Sequence, residues 1–387
     1  MHKMIDRTLF EPLREMSGWF PVVSLTGPRQ SGKSTLIREA FPDYTYVNLE
    51  NPDTLAAALT DPVGFISNRP ERLIIDEAQH APELFNMIQV ASDERGSVGQ
   101  YVLSGSQNFL LMKNITQSLA GRVGMLKLLP LSFQEARPAG VDLRTFAVRG
   151  GYPRLYDVGI PSGIFYENYL STYVSRDAGD LLNVRDLSSF RRMLGLCAAQ
   201  VGSLVTYAHL ANDTGVSAAT VKSWMSILES SYIVYLLQPY HANIKKRLTK
   251  SPKLYFCDTG LLCHLLNIRT VEDLLAHPLR GEVFENLVVS ERLKYHFNRK
   301  ETPELYFYRD DSKREIDLID CTDSRNASAY ELKSGETYRS SFGRHLRTVG
   351  DELDIAPENR FVVYMGSERV SDKGIEVLPA TEFLQQT

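Results

Sequence analysis

The 387-residue sequence has four cysteines, Cys197, Cys257, Cys263 and Cys321. None form a C-x-x-C pair and no histidine cluster stands near them, so a zinc site is not expected. Four scattered thiols in a chain of this length fit a reducing compartment. No apolar run approaches the ~20 residues needed to span a bilayer. Met1 to Glu15 is charged and lacks the apolar core of a signal peptide. A cytoplasmic protein with no membrane partner is therefore expected. Positive charge is not in excess either: 43 Lys and Arg stand against 47 Asp and Glu, a formal net charge of −4. That excludes a uniformly basic nucleic-acid coat but leaves room for a local basic groove. Internal repeats and low-complexity segments are absent. What remains is a chain that is 43% hydrophobic and 23% charged, long enough for two or three globular domains.

One stretch dominates. Gly27-Pro28-Arg29-Gln30-Ser31-Gly32-Lys33-Ser34-Thr35 fits G-x-x-x-x-G-K-[ST], the phosphate-binding loop of nucleotide hydrolases. Glycines allow the backbone to curl its N–H groups around phosphate oxygens. Lys33 supplies a cation for the β- and γ-phosphates, and the Ser34 hydroxyl suits Mg²⁺. The flanks agree: Pro21 to Thr26 reads as a buried strand, and Ser34 to Ala40 as the first turns of a helix whose N-terminus attracts anions.

Strand candidates at Tyr44–Leu49, Arg72–Ile75 and Gln100–Leu103 alternate with helical stretches. This implies a mainly parallel sheet with polar residues gathered at the strand ends. Asp76-Glu77 follows one such strand. Asp76 is placed to hold Mg²⁺ and Glu77 to orient or deprotonate the attacking water. Ser104 and Ser106 end a neighbouring strand, where a hydroxyl helps position that water or simply belongs to a polar turn. Arg122 is either a surface arginine or one that offers its guanidinium to the γ-phosphate in its own or a neighbouring subunit.

These segments, with Leu73-Ile-Ile-Asp-Glu-Ala-Gln79, Leu103-Ser-Gly-Ser106, Ala120-Gly-Arg122, Leu129-Pro-Leu-Ser-Phe-Gln-Glu135 and Gly150-Gly-Tyr-Pro153 in that order, resemble a family of bacterial and archaeal AAA-type ATPases. Its C-terminal domain is of largely uncharacterised function. The resemblance implies an α/β fold: a P-loop AAA-type ATPase domain over residues 1–140 and a helical lid over 141–190. A winged-helix-like segment over 191–265 and an α/β restriction-endonuclease-like domain over 276–387 follow. It also implies ATP as the nucleotide; a guanine-reading N-K-x-D motif is absent.

Further along, Tyr166 to Asp177 reads as a tyrosine-rich lid helix, with Arg176 facing the nucleotide or pairing with Asp177 or Asp180. Ser203–Gly215 followed by Ala218–Glu229, with Ser217 as N-cap, has helix–turn–helix spacing. Tyr232–Leu237 and Lys253–Cys257 suit a winged hairpin with a basic tip, Asn243–Lys250. Only Lys222 on the second helix is a cation fit for bases, so non-specific DNA contact or a structural role fits better than operator reading. Last, Arg314–Ile319 and Ala329–Lys333 read as adjoining strands. Residues two apart on a strand share a face, so Glu331 and Lys333 project together and Asp317 can stand opposite. This resembles the D…E-x-K core of restriction-endonuclease-like nucleases, with Glu285 on the helix Gly281–Leu293 matching the helix carboxylate of some members. Asp317, Glu331 and Glu285 would hold Mg²⁺, and Lys333 would assist the water. Two functions follow: an ATPase tied to DNA binding or processing, or an ATP-dependent switch whose C-terminal half is an inactive protein-docking module.

Overall fold

The computed structural model describes residues 5–106, 115, 118–173, 187–240 and 251–385. The first sheet has five parallel strands in the order β2-β3-β4-β1-β5: β1 (Val22–Thr26), β2 (Thr45–Asn48), β3 (Leu73–Asp76), β4 (Tyr101–Gly105) and β5 (Val123–Lys127). Strands β1, β3 and β4 are buried on both faces, as expected of the middle of a parallel sheet. Side chains alternate between two cores. Leu73, Ile75, Tyr101 and Leu103 face Phe85 and Ile88, while Ile74, Val102, Val23 and Leu25 face Leu13, Leu36 and Ile37. The helices Phe10–Ser17 and Lys33–Ala40 lie on the second side. Edge strand β5 is not read from the sequence. It exposes alternate residues, and Gly124 at its second position leaves room for Met16, whose Cγ would lie 2.4 Å from an added Cβ.

The helix expected over Tyr166 to Asp177 runs over Ser162–Thr172, starting earlier; Arg176, Asp177 and Asp180 lie outside the described residues, as does the basic tip 243–250. Helices Tyr207–Thr214 and Ala218–Ser230 follow, joined through Gly215 in the left-handed region, with the Ser217 hydroxyl capping the second. The hairpin of β6 (Val234–Pro239) and β7 (Lys253–Phe256) forms as expected. It is not a free wing, however. Strand β6 pairs in parallel with β8 (Leu305–Arg309), which sequence reading left unassigned. The hairpin thus ends an eight-stranded sheet ordered β12-β13-β11-β10-β9-β8-β6-β7. Here β9 is Glu315–Asp320, β10 Ser328–Lys333, β11 Arg360–Tyr364, β12 Val370–Asp372 and β13 Ile375–Pro379. One hydrophobic core runs from Leu129 through helices Ser162–Thr172, Tyr207–Thr214 and Ala218–Ser230 to Leu384, with the helix Arg280–Asn298 inside it. The sheet and this core both cross the 265–276 interval expected to separate a winged-helix segment from a nuclease-like domain.

Candidate functional site

In a parallel sheet, loops that follow strands collect at one end. The loop after β1 carries Gly27 to Lys33. Gly27 is required by close approach: an added Cβ would lie 2.1 Å from the Leu128 carbonyl oxygen. Gly32, at φ 94°, starts the helix Lys33–Ala40 from the left-handed region. Arg7 braces the loop from outside, donating to the Ser31 oxygen at 2.7 Å and the Leu129 oxygen at 2.8 Å while pairing with Glu135 at 3.2 Å. The buried Lys33 ammonium donates to the carbonyls of Gly27 at 3.0 Å and Pro28 at 2.9 Å.

Three hydroxyls converge on Asp76, which ends β3. Ser34 Oγ and Tyr46 OH each donate to Oδ2 at 2.6 Å, and Ser104 Oγ donates to Oδ1. Strand β4 lies between β1 and β3, so its last residues bring Ser104 to the acid. Burial and the Asp76 carboxylate raise the Tyr46 phenol above its ordinary range, so it stays a donor. Glu77 adopts φ 54°. Its Oε2 accepts from Gln79 Nε2 at 2.5 Å and from Ser106 N and Oγ at 3.3 and 3.1 Å. A cavity of about 550 Å³ opens over these groups. Arg29, Gln30, Lys33, Ser34, Thr35 and Glu77 line one side and Pro153, Arg154 and Asp157 the other; Ser31 is fully buried beneath the loop.

Arg122 is not brought here. It precedes β5, and its carbonyl accepts from Val22 N at the start of β1, the far end of the sheet from the loop. There it pairs with Asp93 at 2.6 Å. The strands that intervene are five residues long, roughly 17 Å, so contact with the phosphates of its own chain is corrected to none. Arg154, which sequence reading passed over, instead lines the cavity. Its signal was the Gly150–Pro153 segment, since Pro153 directly precedes the short helix Arg154–Asp157.

Asp317, Glu331 and Lys333 lie together on β9 and β10. Lys333 Nζ lies 2.6 Å from Glu331 Oε1 and 3.5 Å from Asp317 Oδ2, and Leu332 N donates to Asp317 Oδ2 at 2.8 Å. Glu331 Oε2 is buried without a hydrogen-bond partner. Sequence reading missed a second lysine, Lys253 of β7. Only 3% exposed, its Nζ lies 2.9 Å from Glu285 and 2.6 Å from Glu315, while Tyr255 OH also donates to Glu285. Burial and the charge of Asp317 push Glu331 up to about 8; burial, partly offset by Lys253, lifts Glu285 to about 7. Burial lowers both lysines, but the surrounding carboxylates outweigh it and raise them. No three metal-binding side chains form a ready cage among the described residues. Lys333 engages Glu331 and Asp317, and Lys253 engages Glu285.

No described helix is long and apolar enough to cross a membrane. A family model described as an AAA domain matches residues 20–137. Two described as domains of unknown function match residues 140–272 (DUF8612) and 280–383 (DUF4143). The chain is 32% identical over 371 residues to the uncharacterized protein Rv2008c of Mycobacterium tuberculosis, covering 94% of this chain and 81% of that protein. It is 22% identical over 328 residues to the uncharacterized protein MJ1544 of Methanocaldococcus jannaschii, covering 76% and 70%. Among solved structures, the Walker-type ATPase PABY2304 of Pyrococcus abyssi aligns at 14% identity over 68% of this chain and 96% of that one, with a TM-score of 0.44.

Proposed function

We propose, because this chain belongs to the AAA-domain family that includes Rv2008c of Mycobacterium tuberculosis, that its ATP-binding domain hydrolyses ATP with Mg²⁺ and drives DNA binding or processing by the C-terminal half. The observation that carries the ATPase reading is the cluster at Asp76. Ser34, which lines the cavity, has its Oγ 2.6 Å from Asp76 Oδ2, a hard-oxygen pair fit for Mg²⁺. When bound, Mg²⁺ neutralises charge on the phosphates. Lys33 exchanges the Gly27 and Pro28 carbonyls for phosphate oxygens. Glu77, held by Gln79 and Ser106, orients the water and accepts its proton. Arg154 faces the same cavity and takes the role considered for Arg122 within one chain; Arg122 serves only a neighbouring copy in a homo-oligomer.

In the second site, Asp317 and Glu331 hold a divalent cation and Lys333 assists the attacking water, giving a nucleotide-controlled nuclease. The unpartnered Glu331 Oε2 supports this, since a buried carboxylate oxygen without a donor is costly unless a cation completes it. Lys222, exposed on the helix Ala218–Ser230, provides non-specific phosphate contact. The working division is an ATPase domain to residue 140, a lid to 190, a winged-helix-like segment to 265 and a nuclease-like domain from 276. A second reading is favoured by the lysines that already fill the carboxylate site: an ATP-dependent switch with an inactive docking module.

The test is ATP turnover together with Mg²⁺-dependent cleavage of plasmid and linear DNA, with and without ATP. Lys33→Ala abolishes turnover; unchanged turnover would sink the ATPase assignment. Cleavage lost in Lys333→Ala establishes the nuclease. Intact turnover with no cleavage under any condition selects the switch.

A further inference from the structure

The β6–β7 hairpin joins the two sites physically. At its base, Tyr232 OH is hydrogen bonded to Thr26 Oγ1 at 2.7 Å, both buried. Thr26 is the last residue before the P-loop. Tyr232 sits at φ 58°, a backbone region that bulky residues rarely occupy. The other leg ends at Asp258, whose carboxylate accepts from Gly151 N at 2.7 Å and Tyr166 OH at 2.6 Å. Gly151 lies two residues before Pro153, in the wall of the nucleotide cavity. Both legs are thus rooted at the nucleotide site. At the far end, Leu237 pairs with Lys253, and Lys253 bridges Glu285 on the helix Arg280–Asn298 to Glu315 on β9. The strand is also tied to that helix, since Phe256 N donates to Asn286 Oδ1 at 2.6 Å and Asn286 Nδ2 returns a bond to Phe256 O at 3.1 Å.

We infer that this hairpin transmits nucleotide state from the P-loop to the carboxylate site, with Lys253 as the positioning residue that sets the spacing between Glu285 and Glu315. This rests on the reading of the P-loop cavity as a nucleotide site. The driving contact is Lys33. Its ammonium now holds the Gly27 and Pro28 carbonyls, a loop arrangement that phosphate oxygens displace. The change reaches Thr26 next in the chain, and the buried Thr26–Tyr232 bond passes it to the hairpin. The Lys253 bridge is the fixed point at the far end of the hairpin, so removing it alters what the P-loop must move against.

Coupling free energies are reciprocal and usually amount to about 5- to 150-fold in affinity. The measurement is ADP affinity of the full chain in EDTA, where no divalent cation reaches the carboxylates. Lys253→Met changes ADP affinity about fivefold or more. Lys253→Arg, which keeps the bridge, restores the wild-type value, and the Lys253→Met effect vanishes in a Tyr232→Phe background. Equal affinity in wild type and Lys253→Met, or an effect that survives Tyr232→Phe, overturns the inference. Wild-type protein that binds ADP neither in EDTA nor with Mg²⁺ overturns the nucleotide reading itself, and the inference with it. Should Lys253→Met not fold, hydrogen exchange decides. ADP alters protection of peptides spanning 281–290 and 328–334 in wild type but not in Tyr232→Phe; a response confined to the P-loop peptides refutes the transmission.

Discussion

Replacing Glu77 by Gln isolates one chemical property of the nucleotide site. In the folded chain a single carboxylate oxygen, Oε2, accepts from Gln79 Nε2 and from Ser106 N and Oγ. An amide oxygen in that place accepts the same donors, and the left-handed backbone at φ 54° is unaffected by the exchange. Shape and placement therefore persist, while charge and basicity are lost. A positioned general base contributes about 10²–10⁴-fold, so hydrolysis in Glu77→Gln falls by that factor, a barrier increase of roughly 2.7–5.4 kcal/mol. ATP affinity stays within about fivefold, because on the proposed reading Lys33 meets the phosphates, Ser34 and Asp76 hold Mg²⁺, and neutralising a partly exposed carboxylate alters binding by less than ~1 kcal/mol. Phosphate release under single-turnover conditions gives the rate, and calorimetric titration gives the affinity. Hydrolysis within tenfold of wild type in a variant that binds ATP normally would refute the assignment of Glu77 as the base.

Further perturbations follow from the geometry. Arg154→Ala lowers ATP turnover by about 10³-fold or more with ADP affinity retained. Arg122→Ala leaves turnover unchanged wherever gel filtration shows a monomer; a loss in monomeric protein would contradict the far-end placement of Arg122. Asp320 supplies a pH test. Burial raises its carboxyl, but the His296 hydrogen bond and Arg292, each at 2.6 Å, prevail and hold it well below the usual range. Its folded pKa lies below the unfolded value of about 3.9, so its stabilisation is complete above that value and is lost as pH falls from ~4 through the folded pKa. Melting temperature against pH should show that decline in wild type. Asp320→Asn flattens it and costs roughly 3–5 kcal/mol at neutral pH, since Arg292 and His296 lose a buried partner. An unchanged acid limb would show that other carboxylates govern it.

The P-loop, the Asp76-Glu77 pair and the strands feeding them are legible in sequence because each is a local pattern: an apolar run, then residues that suit one turn. Glu331 and Lys333 are legible for the same reason, being two apart on one strand. Lys253 is not. Its partners lie on a helix and a strand far along the chain, and an apolar-flanked lysine in a hairpin carries no local mark of burial. Arg122 misleads in the opposite way. It is close in sequence to the ends of catalytic strands, but successive loops of a parallel sheet alternate between its two ends, so proximity along the chain says little about which end a residue occupies. Strand β8, Leu-Tyr-Phe-Tyr-Arg, is as long as strands legible from sequence, but its place is fixed by pairing with β6 and β9 rather than by its own pattern.

The pairing of Gln238 with Tyr306 and Pro239 with Phe307 bears on how the molecule can be dissected. A cut between residues 272 and 280, at the boundary between the two domains of unknown function, would strip β8 of its neighbour and leave β6 with a raw edge. Exposed edges of this kind recruit other chains. Fragments severed there would be prone to precipitate or to exchange hairpins between copies, and loss of activity in them would say nothing about either site. Truncation studies should keep residues 232–258 with the C-terminal sheet, and surface fusions belong elsewhere.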